Sequence, residues 1–419
     1  MSNLAIDAAF ARSSGRLAYR FGRLLSRRED RVGDSSDIQR LSLSSAGYLY
    51  AREGAADRQH ASESTERRSL RIDRNQLVIN PMWLTGGSVA ISEQSGAVSP
   101  DYRVFGCPPG VLPRYLHHLL RSKPYMDQYN LFVRANTTFD RRIQQDDLDQ
   151  LPLWLPPFDQ QQRIADFLDD RVARIDRITE ARSGQRKELE LHRRGALVEA
   201  IFHDRDRLVP CSQLSEIRLG RQRSPQHESG DHMVPYLRSA NVGDGRIDLG
   251  DVKRMNFTPD EQRVFGLQPG DILVTEGSAS PDAVGASATW EGDIGGAVCF
   301  QNTLIRLRAR PNCSPDFLAV WARASHAAGA ARVFAGGASI LHLGSEGMSR
   351  LQMPLLPLGE QRSRAATASK VLQFHAIADD SLRRSVELLL EYKQSLITAA
   401  VTGELDVTTA RGNIGGREE

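Results

Sequence analysis

The sequence predicts an α+β chain: two globular α/β modules separated by two long helices packed as an antiparallel coiled coil. Three observations carry this. Residues Leu151–Phe202 recur without a gap at Leu351–Gly403, so that Leu151, Leu155, Pro157, Gln161, Ala165, Leu189 and Ala200 each meet an identical residue about two hundred positions on. Both copies hold a heptad seam. Strand-like and turn-like segments fill the stretch before each copy.

At 419 residues the chain is too long for one core and suits two to three domains. Its 54 lysines and arginines against 52 acids give a net charge of +2, so any polyanion-binding surface must be local. The positive charge is mostly arginine, whose planar fork suits phosphates and guanine edges. No run of apolar residues is long enough to span a membrane. The four cysteines, Cys107, Cys211, Cys299 and Cys313, are scattered, which fits a reducing cytoplasm and gives no disulfide framework.

The segment 1–36 places Arg12, Arg16, Arg20, Arg23 and Arg27 at helical steps beside Leu17, Phe21, Leu24 and Leu25. It reads as a basic N-terminal helix or a disordered arm. The first module is expected over 37–150. It opens with loops and short helix around Ile38–Tyr50 and an exposed charged linker at Arg52–Ser69. Gln76–Asn80 reads as a buried strand, Gly86–Ser92 as a turn and its neighbour, and Ser99–Val104 as a turn into a third. Leu112–Tyr129 reads as one helix starting at Pro113, with Tyr115, Leu116, Leu119 and Leu120 as its apolar face and one or both of His117 and His118, on opposite sides, at its surface.

The first long helix is expected within 151–206. Pro156-Pro157 fix an extended lead-in. Leu168, Ile175, Leu189 and Ala196 then fall on one seam, with Ile164 and Ile178 beside it and Arg182 interrupting, over about forty residues or about 60 Å. The second module, 207–350, repeats the plan. Leu214–Gly220, Pro235–Val242 and Ile272–Thr275 read as strands, Thr303–Ala309 as a strand with a basic outer side, and Ser314-Pro315 as a helix cap. There Phe317, Leu318 and Trp321 match Tyr115, Leu116 and Leu119. The second long helix, 351–405, carries His375, Leu382, Leu389 and Leu396 on its seam, and 406–419 reads as a disordered tail. Each apolar stripe is too narrow to be stable alone, so the helices are expected to pack together.

Catalytic signatures are missing. The sequence contains no GxxxxGK[ST], no strand followed by GxGxxG, no Gly-x-Ser-x-Gly and no zinc spacing. Asn80-Pro81-Met82-Trp83 lacks the second proline and the glycine-rich strand of an amino-methyltransferase, and Asp282 and Glu291 lack the Glu-x-Lys of a metal nuclease. These absences move weight from catalysis to recognition. Loops in both modules set arginine among small polar and aromatic residues: Arg134, Asn136 and Thr137 in the first, and Arg221, Arg223, Tyr236, Arg238, Ser239 and Asn241 in the second. Arginine and asparagine can read guanine and adenine edges, while serine and threonine hold phosphates. Two such modules spaced by long helices could read a split DNA sequence about a helical turn apart. The alternative is a tandem-module protein-binding scaffold that dimerises through its coiled coil.

The lead-in Leu155-Pro156-Pro157-Phe158-Asp159-Gln160-Gln161, its counterpart Leu358-Gly359-Glu360-Gln361, and the ending Ala400-Val401-Thr402-Gly403-Glu404 resemble the specificity subunit of type I restriction–modification systems. The resemblance covers nearly all the chain from about residue 37. It includes Asn80–Tyr102, which adds Asn80, Trp83 and Thr85 to the candidate DNA contacts. It implies two target-recognition domains, 37–150 and 207–350, each reading half of a bipartite target in double-stranded DNA, with the helices setting the gap. It also implies docking of two methyltransferase subunits, with restriction subunits in the full complex. Pro157, Gln161, Ile164, Leu168, Ile175 and Leu189, with Pro357, Gln361, Leu382, Leu389 and Leu396, are the expected coiled-coil or docking positions. No cofactor is then expected on this chain; S-adenosylmethionine, ATP and Mg would belong to the partner subunits.

Overall fold

The computed structural model describes residues 4–11, 15–33, 38–52, 67–133, 141–278, 280, 282–292, 294–336 and 341–407. The chain divides into two compact units, Met1–Arg182 with Ser385–Glu419, and Ser183–Arg384. Both divisions fall inside a long helix, Phe158–Ile201 (44 residues) or Leu358–Thr402 (45 residues). Among the described residues, no helix is long and apolar enough to cross a membrane.

The first unit is built on a four-stranded antiparallel sheet. Its strands run in the order Ser26–Arg28, Arg103–Gly106, Leu77–Ile79 and Val89–Ile91. Leu77, Ile79, Val89 and Phe105 on this sheet pack on Leu116, Leu119 and Tyr125, while Ile164, Leu168, Ile175, Ile397 and Val401 close the same core from the long helices. Smaller pairings flank it, among them the hairpin Leu41–Leu43 with Leu49–Ala51, and Leu70–Ile72 with Gly96–Val98.

The second unit repeats the sheet as Ser215–Leu219, Leu304–Ala309, Ile272–Thr275 and Ser287–Thr289, again antiparallel throughout. Its core joins Ile272, Val274, Ile305 and Leu307 to Phe317 and Trp321, with Leu197, Ile201, Ala365 and Ala368 from the long helices. Here the hairpin is Val242–Gly243 with Arg246–Ile247. A further three-stranded sheet sets Met233–Leu237 between Lys253–Asn256 and Cys299–Phe300.

The N-terminal segment corrects the sequence reading. Among its described residues only Leu4–Phe10 and Phe21–Leu24 are helical; Leu17–Arg20 and Ser26–Arg28 are strands. Leu17–Arg20 pairs with Pro152–Leu155, and Phe21 N–H donates to Leu151 O at 2.8 Å. In the second unit Leu208–Pro210 pairs with Gln352–Pro354, and Cys211 N–H donates to Leu351 O at 2.8 Å. The first module therefore starts before residue 37, because its sheet needs Ser26–Arg28 as the edge strand that Ser215–Leu219 supplies in the second. Helical spacing of the arginines was outweighed by backbone hydrogen bonds to strands already in place. Arg16 is buried, with its guanidinium 5.8 Å from the Phe10 ring centre.

Other local expectations change for identifiable reasons. The short helix expected around Ile38–Tyr50 is a hairpin, because Leu41 and Leu43 bury against Ile72 and Val78 and Gly47 turns the chain at φ 91°. The helix expected over Leu112–Tyr129 is two, Pro113–Leu120 and Lys123–Phe132. Ser122 between them is extended, and Pro124 has no N–H to continue the ladder. The outer side of Leu304–Ala309 is covered: Arg306 is 2 % exposed and reaches Glu216 at 2.9 Å, and Arg308 forks onto Asp271 at 2.6 Å. His118 is not at the surface but buried, with Nε2 2.7 Å from Asp169 Oδ1. The linker residues 53–66 and the tail beyond Val407 lie outside the described residues, while Val407 itself packs in the first core.

Candidate nucleic-acid interface

Of the first module's candidates, Arg134, Asn136 and Thr137 lie outside the described residues. Asn80 follows the strand Leu77–Ile79 and accepts from Met82 N–H through Oδ1 at 3.1 Å, fixing the turn from within. That turn ends in a short 3-10 helix, Leu84–Gly86, which carries Thr85 half-buried and leaves Trp83 50 % exposed.

The second module's candidates divide between surface and frame. Tyr236 is 4 % exposed and packs with Met255 and Phe257, so its aromatic character serves the core. Arg221 is held by Glu261 at 2.9 Å, donates to Asn256 O and lies 4.8 Å from the Phe257 ring centre. Asn241 is buried: its Nδ2 donates to the carbonyls of Asp248 and Asp251 at 2.9 and 3.2 Å, and its Oδ1 accepts from Arg238 N–H at 3.1 Å. These three are corrected from base-reading candidates to residues that shape the module: the polar groups of Arg221 and Asn241 already have partners within the chain, and the Tyr236 ring is buried in the core.

Arg238, Ser239 and Arg223 stay nearer the surface. Arg238 reaches Asp251 at 2.5 Å, and Ser239 N–H donates to Thr303 Oγ1 at 3.0 Å. Arg223 pairs with Glu228 at 2.7 Å, with both side chains more than half exposed. Lys253, with Arg238, holds the Asp251 carboxyl below the usual carboxylate range. Such exposed pairs are weak enough to exchange for a phosphate.

The repeated glutamines of the helix lead-ins are buried, which corrects their reading as docking residues. Gln161 accepts from Leu112 N–H at 2.9 Å and donates to the carbonyls of Pro156 and Gly110 at 2.9 and 3.2 Å. Gln361 accepts from Ser314 N–H at 2.7 Å and donates to Leu356 O and Asn312 O at 2.8 and 3.0 Å. Each thus supplies an acceptor at the start of its module's helix, where an N–H has no partner within the helix. In the second module this replaces the expected Ser314 side-chain cap, which is not made.

Ile164, Leu168, Ile175 and Leu396 are buried, Leu189, Leu382 and Leu389 half-buried, and Pro157 and Pro357 exposed. Within the first unit Lys393 meets Asp176 at 2.6 Å. Within the second, Arg186 meets Asp379 at 2.6 Å, and His192 Nδ1 lies 2.9 Å from His375 Nε2.

Sequence reasoning missed four residues that the structure places beside these loops. Arg121, at the end of Pro113–Leu120, donates to Gly87 O at 2.9 Å and to Ser45 O at 3.4 Å. Arg323, on Pro315–Ala327, donates to Asp244 Oδ1 at 2.7 Å. Tyr48 and Tyr50 stand 57 % and 46 % exposed on the first hairpin. The two arginines share the spacing of Pro113 and Pro315, a signal that was present in the sequence.

No family model matches the chain. Over 333 residues it is 24% identical to the type I restriction enzyme EcoKI specificity subunit of Escherichia coli (strain K12), covering 74% of this chain and 68% of that protein. Over 189 residues it is 26% identical to the StySPI specificity subunit of Salmonella potsdam, covering 44% of this chain and 38% of that protein. Among solved structures, a chain from work on complex assembly and conformational transition of the type I R-M system matches with a TM-score of 0.71 at 19% identity, over 94% of this chain and 99% of that one. The HsdS subunit from Thermoanaerobacter tengcongensis matches with a TM-score of 0.50 at 20% identity, over 94% and 98%. The structural matches establish the fold, and the sequence matches independently point to the same kind of subunit. In sequence and in fold alike, the chain is similar to type I restriction–modification specificity subunits.

Proposed function

We propose that the chain is the DNA sequence-specificity subunit of a type I restriction–modification complex, in which each module reads one half of a bipartite target. The observation that carries this reading is the duplicated module. Both units build the same four-stranded sheet and use the same buried glutamine, yet their outer loops bear different side chains. A constant frame with variable loops suits two different reading heads. Surface candidates for contacts are Trp83 and Thr85 in the first module and Arg223, Arg238 and Ser239 in the second, with Arg134, Asn136 and Thr137 carried as candidates from the sequence.

The two long helices act as an antiparallel coiled coil that sets the gap between half-sites and docks two methyltransferase subunits. Within the second unit, the partners Arg186–Asp379 and His192–His375 run in opposite chain directions, which supports antiparallel pairing. Restriction subunits complete the assembly in the cytoplasm. Methylation and ATP-driven cleavage, with their S-adenosylmethionine, ATP and Mg, belong to those partners, so this chain is not itself an enzyme. The scaffold reading finds no support among the relatives.

A gel-shift of the complex reconstituted with its methyltransferase subunits tests the proposal. Binding to target duplex should weaken steeply as salt rises from about 50 to 200 mM, because phosphate contacts release counterions. A complex that binds no DNA at low salt would favour the scaffold.

A further inference from the structure

In both modules one hairpin tip is seated on one arginine, and the two arginines occupy corresponding positions. In the first, Arg121 donates to Ser45 O in the tip of the hairpin Leu41–Leu43/Leu49–Ala51 and to Gly87 O in the turn that carries Trp83. Its guanidinium lies against Gly47, where an added Cβ would stand 1.6 Å from Nη1. In the second, Arg323 forks onto Asp244 in the tip of the hairpin Val242–Gly243/Arg246–Ile247, at 2.7 and 3.2 Å. Gly245 lies against it, where an added Cβ would meet Cζ at 2.7 Å. Both glycines have positive φ, 91° and 72°, a conformation that side chains disfavour.

Each seat is tied to a long helix within its own unit. Gln394 donates to Arg121 O at 3.1 Å, and Arg193 reaches Asp244 at 3.0 Å. What the hairpins present differs: Tyr48 and Tyr50 in the first, and Arg246, exposed, in the second. Tyrosine offers a rigid ring with a polar tip, and arginine a fork for phosphate or guanine. The second hairpin follows directly from the Arg238–Asn241 loop, and Arg121 joins the first to the Trp83 turn. The hairpins therefore adjoin the loops already considered as contacts.

We propose that Arg121 and Arg323 are equivalent positioning residues, each seating a hairpin whose exposed side chains help to read one half-site of the DNA target. This rests on the proposed function above. Arginine alone serves both seats because its planar fork can hold two carbonyls or one carboxylate.

The test uses the chain assembled with its methyltransferase subunits and a duplex library randomised at both half-sites, with methylated products sequenced. Arg121→Gln should reduce discrimination about tenfold in one half-site only, and Arg323→Gln should do the same in the other. Tyr48→Ala and Arg246→Ala, which alter only exposed groups, should relax the same half as Arg121→Gln and Arg323→Gln respectively. They keep the test decisive if an arginine variant fails to assemble. Unchanged discrimination for Tyr48→Ala and Arg246→Ala, or equal loss over both halves for any variant, would overturn the inference. A wild-type complex that methylates no two-part motif would instead overturn the functional reading on which it rests.

Discussion

Gln361 joins three backbone groups, Ser314 N–H, Asn312 O and Leu356 O, that come from segments some forty to fifty residues apart in the chain. Gln361→Ala would leave these groups unpaired in a buried setting and should lower stability by about 2–3 kcal/mol, read by urea denaturation. Gln361→Glu should cost at least as much, since a carboxylate cannot donate to the two carbonyls. Arg364 forms a second such point, buried with Asp206 at 2.5 Å and also bonded to Glu360 and Ile201 O. Its hydrogen bonds hold the Asp206 carboxyl below the usual carboxylate range. A lowered folded-state pKa stabilises the fold above the unfolded value of about 3.9, and that contribution disappears as pH falls through the lowered one. Asp206→Asn should therefore cost about 2 kcal/mol at neutral pH, with the difference from wild type shrinking below pH 4. Equal losses at pH 7 and pH 3 would contradict this. The identity of Gln161 and Gln361 was legible in the repeat, but their role was not, because the groups they bind are set by tertiary packing. Tyr236 and Asn241 looked like reading residues for the same reason: residue type shows what a side chain can bond, and only the fold shows that Tyr236 is buried and that the bonds of Asn241 are already taken.

At the scale of elements, period and punctuation did most of the work. Ile272–Thr275 is the strand its unbroken apolar run predicts, and both long helices follow their heptads and proline lead-ins closely. Failures came where a pattern fitted two periods. The arginines between Arg12 and Arg27 suit a helix, yet Leu17–Arg20 and Ser26–Arg28 are drawn into sheets by partners more than seventy residues away. Leu208–Pro210 and Ser215–Leu219 open the second module in the same order, but they lie outside the stretch in which the sequence repeats. Register within the helices gives the element-scale prediction. Seven residues inserted at matched points of both helices keep the heptad and add about 10 Å, or about three base pairs of gap. Methylation mapping should show a longer gap between unchanged half-sites; changed half-sites at constant gap would contradict the spacer role.

For the whole molecule, the duplication is the central fact. A net charge of +2 gives no general attraction to DNA, so affinity must come from local surfaces on each module. That two modules existed was readable from the sequence alone; that the first begins near the chain's N-terminus was not, because its opening strand has no counterpart in the heptad repeat. The proposed role as a two-headed reader is tested most directly by mapping methylated adenines across the genome of a cell that carries this chain with active partner subunits, before and after its gene is deleted. The account predicts methylation at one two-part motif with an unread gap, absent after deletion. An unchanged methylation pattern in the deletion strain would contradict it.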